Sequence, residues 1–335
     1  METVRVGVVG VGAMGQLFAR LLAELSNARL CGVADLLVER AEASGREFEV
    51  PAFPSAEDLL DKVDVDALII ATADDQHVEP VRVAAQAGKP IFLEKPLATT
   101  VADGRTILKE VADANVPLMV GHCVRFDPRY AAARTAIRNG KLGRLMHLAA
   151  RRNARLVASR HVFGRCSVSM FLGVHDIDYM LWATGGRVTQ VHAVGQRQIL
   201  EGTDTFASIL SLLTFQDGTI ATLETCWAAP LPSWGFEIVG TDGMINITSP
   251  ETGSTFYSID GVQSVNPLYS SEPIAEGQTL NVYQAELMHF LGCIAQDRPF
   301  VIQPQEALMA VAVAEAIDRS VLSGQPEIPE HVIYE

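Results

Sequence analysis

Val4-Arg5-Val6-Gly7-Val8-Val9-Gly10-Val11-Gly12-Ala13-Met14-Gly15 is a short apolar run that opens onto a glycine-spaced loop, followed by a helical pattern in Leu17, Phe18, Leu21, Leu22 and Leu25. A second apolar run, Leu30 to Ala34, ends at Asp35, 20 residues after Gly15. Strand, loop, helix and strand in this order make a βαβ unit. In such a unit Gly10 permits the tight strand exit, Gly12 lets the backbone approach a pyrophosphate, and Gly15 lets the helix lie close to the sheet. Ala13 and Met14 then stand in the first helical turn, which faces the phosphates. A carboxylate at Asp35 accepts hydrogen bonds from both ribose hydroxyls of an adenosine and repels a 2′-phosphate, so NAD is favoured. Arg40 nearby leaves NADP open.

Outward from this unit the alternation continues. Strand-like runs stand at Ala67 to Ala71, Pro90 to Leu93 and Pro117 to Val120, with helical stretches near 56 to 61, 77 to 87 and 99 to 114. Continuous apolar strands separated by helices predict a doubly wound parallel sheet covered on both faces. After about residue 123 the pattern changes to longer alternating strands, with Asp217-Gly218 joining 206–215 to 219–227 as a hairpin and Asp242-Gly243 marking another turn. Helical segments are expected near 128 to 138, 175 to 183, 284 to 291 and 305 to 322. The expected organisation is a dinucleotide-binding Rossmann domain over 1–122 and an α+β domain over 123–335, built on a large, mostly antiparallel sheet, that binds substrate and carries oligomer contacts.

The chain has 335 residues, enough for two cores and hence for a cleft. Its 26 Lys+Arg against 40 Asp+Glu give a net charge of −14, which disfavours nucleic acid as a partner. Apolar stretches are too short to span a bilayer, and the start lacks the pattern of a signal peptide, so a cytoplasmic protein is expected. Five cysteines, odd in number and never in a Cys-x-x-Cys pair, argue against zinc sites and disulfide frameworks, and no metal is expected.

Gly88-Lys89-Pro90-Ile91-Phe92-Leu93-Glu94-Lys95-Pro96 resembles the central motif of the glucose-fructose oxidoreductase, inositol dehydrogenase and rhizopine-catabolism family, Gfo/Idh/MocA. Ala71-Thr72-Ala73-Asp74 with His77 is similar to that family's nicotinamide-side loop, with Ala73 where proline is usual. Val120-Gly121-His122 with Arg125-Phe126 is similar to its interdomain segment, and Gly173-Val174-His175-Asp176-Ile177-Asp178 to its second-domain motif. The resemblance covers essentially the whole chain. It implies cofactor contacts from Gly10, Gly12, Ala13, Met14, Asp35, Ala71, Thr72, Ala73, His77, Glu94 and Lys95.

The chemistry follows from residue type. An ammonium at Lys95 lowers the cost of alkoxide character as hydride leaves carbon; a charge contact at about 4 Å and an effective dielectric near 20 is worth roughly 4 kcal/mol. Lysine starts near pKa 10.4 and histidine near about 6.5, so His175 is assigned as general acid/base and Lys95 as its electrostatic partner. Glu94 either positions the nicotinamide or balances Lys95. Asp178 shares the face of His175 one turn on, and Asp178, Asp176 or the substrate is to orient the imidazole. Family dehydrogenases often carry an aspartate four residues before this histidine; here that residue is Phe171.

Substrate-side candidates are Arg125, Arg152, Asn153, Asp178 and Tyr283, chosen as matches to polar pocket positions of the family. Arg151 replaces a histidine and weakens the case for inositol itself. The resulting expectation is an NAD-dependent oxidoreductase acting on a secondary hydroxyl of a sugar, inositol or related cyclic polyol, and forming a homodimer or homotetramer through the second-domain sheet. An NAD-using glycosidase with transient redox and a non-catalytic sugar- or dinucleotide-sensing regulator are the rival readings.

Overall fold

A computed structural model describes residues 3–156, 160–197, 204–248, 254–258, 261–265 and 282–332. The chain divides into two compact units, Met1–His122 with Asn281–Leu308, and Cys123–Leu280 with Met309–Glu335. The helical segment near 284 to 291, grouped by the sequence with residues 123–335, lies in the first of these units.

In the first unit six strands form one parallel sheet: β1 (Val4–Val9), β2 (Ala28–Ala34), β3 (Ala52–Phe53), β4 (Ala67–Ile70), β5 (Ile91–Glu94) and β6 (Leu118–Gly121). Their spatial order is β3-β2-β1-β4-β5-β6. The order reverses between β1 and β4, and the crevice outside their carboxyl ends is where open α/β sheets bind ligands. Every residue of β4, β5 and β6 is buried, which is why these strands read as unbroken apolar runs. The connecting helices are α1 (Ala13–Glu24), α2 (Val38–Phe48), α3 (Ala56–Lys62), α4 (Val78–Gln86) and α5 (Val101–Asp113). Ser55 and Thr100 cap α3 and α5 by accepting from the backbone N–H groups of Asp58 and Asp103.

Helix α2 has no counterpart among the sequence expectations. It buries Ala41, Ser44 and Gly45 instead of large apolar side chains, so it carries little apolar periodicity. A Cβ at Gly45 would stand 2.9 Å from that of Ala52, so the helix packs too closely on β3 for any side chain there.

The second unit is built on β7 (Leu145–Arg155), β8 (Val188–Gln196), β9 (Ser208–Phe215), β10 (Ile220–Ala229), β11 (Ser233–Gly240), β12 (Gly243–Ile247), β13 (Ser254–Ser258) and β14 (Gly261–Val265). The order is β14-β13-β12-β11-β7-β10-β9-β8, antiparallel except for the β7–β10 pair. The Asp217-Gly218 hairpin joins β9 to β10, with Gly218 at φ 88° and the Asp217 carboxylate accepting the Thr219 N–H at 3.0 Å. Helices α6 (Pro128–Arg138) and α7 (Val174–Thr184) cover the sheet through Tyr130, Tyr179 and Phe236, whose rings meet edge to face. A π-helical turn, Ser169–Gly173, leads directly into α7.

Two further helices are α8 (Val282–Ala295) and α9 (Pro304–Ser323). Helix α8 packs on the first unit, with Tyr283 against Phe18 and Phe290 against Phe92. Among the described residues no helix is long and apolar enough to cross a membrane, and no group of side chains is arranged to hold a metal ion. The five cysteines form no disulfide.

Candidate active site

The glycine loop fits a dinucleotide residue by residue. Gly10 has φ +83°, and a Cβ there would lie 2.6 Å from the Ala71 carbonyl and the Thr72 nitrogen, so only glycine lets β1 turn beside the end of β4. A Cβ at Gly15 would lie 1.8 Å from the Gly10 oxygen. At Gly12 an added Cβ meets nothing within 4 Å, which is the open side a pyrophosphate needs. Gly12 is also the N-cap of α1 and offers no side-chain acceptor, so Ala13 and Met14 begin the helix without a cap competing with a bound anion.

Asp35 ends β2 as expected and is nine-tenths buried. One carboxylate oxygen accepts the Val11 N–H at 3.0 Å and the other the Leu37 N–H at 2.9 Å, with Arg40 at 3.7 Å. The acid that would read the ribose thus also ties down the glycine loop.

Beyond β4, Ala71, Thr72 and Ala73 lead into a turn at Asp74-Asp75, which the Thr72 hydroxyl braces by donating to the Gln76 carbonyl at 3.0 Å. His77 is buried behind it with Nδ1 3.4 Å from the Leu97 carbonyl oxygen. Burial holds its imidazole below the usual histidine range, against the opposing pull of Asp74. His77 is therefore a neutral strut under the loop.

Glu94 is the last residue of β5 and Lys95 follows it; the Lys95–Pro96 peptide bond is cis. The Glu94 carboxylate accepts the Lys95 N–H at 3.0 Å. Burial pushes Glu94 up to about 7, against the attraction of Lys95. Glu286 on α8, absent from the sequence candidates, is fully buried and raised well above the usual carboxylate range, by burial first and by Glu94 second. Its signal in the sequence was an acid among Tyr283, Leu287 and Phe290, on the apolar face of a helix.

In the second unit Arg125 and Arg152 are drawn into ion pairs with two fully buried aspartates. Arg125 donates from Nε and Nη2 to both oxygens of Asp178, at 2.8 and 2.6 Å. Arg152 donates likewise to both oxygens of Asp176, at 2.6 and 3.0 Å. Both aspartates lie on α7 beside half-buried His175. Asn153 donates to Glu224 at 2.8 Å, and Arg151 donates to the other oxygen of the same carboxylate at 2.9 Å. Sequence reasoning missed Glu224 because only the β7–β10 register sets it opposite Arg151. The carbonyl oxygen of Asn153 is buried and accepts no hydrogen bond among the described residues. Phe171, in the π-helical turn, has its ring 6.5 Å from that of fully buried Trp227, so it adds an apolar side chain and no carboxylate beside His175's helix. Tyr283 lies in the first unit beside Phe18, apart from the other substrate-side candidates in sequence and in unit.

Two family models match the chain: the oxidoreductase family with an NAD-binding Rossmann fold over residues 4–122, and the GFO/IDH/MocA C-terminal domain over residues 130–246. The chain belongs to the Gfo/Idh/MocA oxidoreductase family. It is 30% identical over 340 residues to an inositol 2-dehydrogenase of Saccharopolyspora erythraea, covering 96% of this chain and 94% of that protein. It is 27% identical over 336 residues to the scyllo-inositol 2-dehydrogenase (NAD(+)) of Bacillus subtilis, covering 96% and 95%. Its fold is that of scyllo-inositol dehydrogenase from Lactobacillus casei with bound NAD(H) and scyllo-inositol, with a TM-score of 0.84, 21% identity and coverage of 98% and 99%. This member of the Gfo/Idh/MocA family is thus an NAD-dependent oxidoreductase, and its glycine loop has the geometry that cofactor needs.

Proposed function

We propose that this chain oxidises a secondary hydroxyl of a cyclic polyol of the inositol type, or of a related sugar, with NAD. The observation that carries the reading is the likeness to inositol 2-dehydrogenases across 96% of the chain.

Bound NAD supplies the hydride acceptor. Gly10, Gly12, Ala13 and Met14 hold its pyrophosphate, Asp35 its adenosine ribose, and Ala71, Thr72, Ala73 and Glu94 its nicotinamide side. His175 takes the hydroxyl proton, and the Lys95 ammonium stabilises the charge left on oxygen. Asp178, locked onto Arg125, acts by fixing the turn of α7 that carries His175. Asn153 offers its carbonyl oxygen to a substrate hydroxyl, and Arg152, already neutralised by Asp176, adds N–H donors at the edge. Tyr283 packs on Phe18.

The second unit also carries an outward apolar patch, Val194 opposite Leu210 with Leu212 beside them, each more than half exposed. We assign this patch to contact with a second copy of the chain, giving a homodimer or homotetramer. The cysteines, without disulfides, fit a reducing cytoplasm.

The deciding experiment incubates purified protein with NAD and a panel of myo-inositol, scyllo-inositol, other sugars, nucleotide sugars and glycosides. NADH absorbance and product mass are followed together. NADH together with a product lighter by two hydrogens is expected from an inositol or close relative; no NADH from any polyol overturns the reading. Sedimentation that shows only monomer overturns the oligomer.

A further inference from the structure

Three elements converge on Glu94. Phe92, two residues earlier on β5, points to the same side of the sheet, and its ring meets Phe290 of α8 edge to face at 5.6 Å. One turn before Phe290 on the same helix face stands Glu286, and one turn before that Tyr283, which meets Phe18. The aromatic contacts at both ends of this face therefore lay Glu286 over the end of β5. On the other flank β6 pairs Gly121 with Glu94, and a Cβ at Gly121 would stand 3.1 Å from the Phe92 ring and 3.4 Å from Glu94 Oε1. The missing side chain makes room for both.

The two carboxyl groups are 4% and 0% exposed. Glu94 uses one oxygen on the Lys95 N–H, while its Oε1 and both oxygens of Glu286 have no hydrogen-bond partner among the described residues. Three unsatisfied buried carboxyl oxygens are costly if both groups are anions and far less so if one proton lies among them. Around the pair stand Lys95, the residue after Glu94; Asp74, after β4, with neutral His77; and His122, the residue after β6. Lys95 thus supplies one positive charge against three carboxyl groups.

We propose that Glu286 is a positioning residue for the reaction: it carries a proton that it shares with Glu94, and so holds the Glu94–Lys95 segment in its working geometry. This rests on the dehydrogenase reading only in giving Lys95 a catalytic task. Glu286 is the proton's main holder, because the charge of Glu94 adds to burial in raising it, and the pair titrates as a unit.

The test compares Glu286→Gln, which keeps a donor, with Glu286→Leu, which has none. In the NAD-bound protein near neutral pH, the infrared difference between wild type and Glu286→Gln is expected to show the carbonyl stretch of a protonated carboxylic acid. Its absence overturns the proposal. With myo-inositol and scyllo-inositol as probes, Glu286→Leu is expected to lose about tenfold in kcat, the scale of a hydrogen bond to a charged group, with NAD affinity kept. Glu286→Gln should restore most of that loss. Equal loss in both variants, or none in Glu286→Leu, overturns the proposal. Should wild type not turn over either probe, the dehydrogenase reading suffers and the infrared result still decides this one. It also decides if Glu286→Leu does not fold.

Discussion

Arg125 and Asp178 form a two-bond ion pair, Nε to Oδ2 at 2.8 Å and Nη2 to Oδ1 at 2.6 Å, with side chains 1% and 0% exposed. Arg125 also lies 5.3 Å from the centre of the Trp182 ring, one turn further along α7. Residue types that suggest a substrate clamp are here turned on each other.

Asp178→Ala removes this carboxylate from a buried guanidinium and is expected to cost about 3–5 kcal/mol of stability. Replacing both partners by apolar residues, Arg125→Met with Asp178→Leu, should recover much of that loss. Urea unfolding of the variants checks this; a single-variant loss below about 1 kcal/mol would contradict the burial argument.

Asp35→Ala removes the acceptor for the Val11 and Leu37 N–H groups as well as for the ribose. NAD affinity is expected to fall by about tenfold or more, since each hydrogen bond to a charged group is worth about 1.5–3 kcal/mol. Discrimination against NADP should narrow, because the repulsion of a 2′-phosphate is gone. Fluorescence titration with both nucleotides measures the two effects; an unchanged NAD to NADP ratio rules out Asp35 as the selector.

Lys95→Met should lower kcat by about a hundredfold to a thousandfold, as an ammonium contact of roughly 4 kcal/mol is lost at the developing oxyanion. NAD affinity should change little. His175→Asn should lower kcat by about a hundredfold or more and abolish the limb of the pH profile that belongs to the base. Turnover that survives either change at the wild-type level removes that residue from its assigned role.

Glu94 gives a pH signature in stability. Its carboxyl is raised from 4.5 to about 7 on folding, so the native state binds its proton more tightly than the unfolded chain. The associated stability is fully present below about pH 4.5 and is lost as pH rises through about 7, to a limit of about 3 kcal/mol. Glu94→Gln lacks this titrating carboxyl, so its stability relative to wild type should rise over that window. Thermal unfolding across the pH range reads the difference; a flat difference would mean that Glu94 is ionised throughout.

The local grammar of the chain was enough to mark the strand–glycine loop–helix start, the Asp35 terminus of β2, the turn residues Asp217-Gly218 and the position of Lys95 at a strand end. Each is a neighbour effect, in which φ, periodicity or helix start depends on residues a few places apart. Helix α2 escaped because small residues pack its buried face, and periodicity registers large apolar side chains. Pairings over long separations were decided by tertiary structure alone. Asp178 with Arg125, Glu224 with Asn153 and Arg151, and Glu286 against the end of β5 depend on strand register and helix docking, which no local pattern encodes. The sequence by itself determined which chemical groups the protein owns and where its chain turns. Tertiary structure decided which of those groups neutralise one another, because burial makes an unpartnered charge too costly to keep.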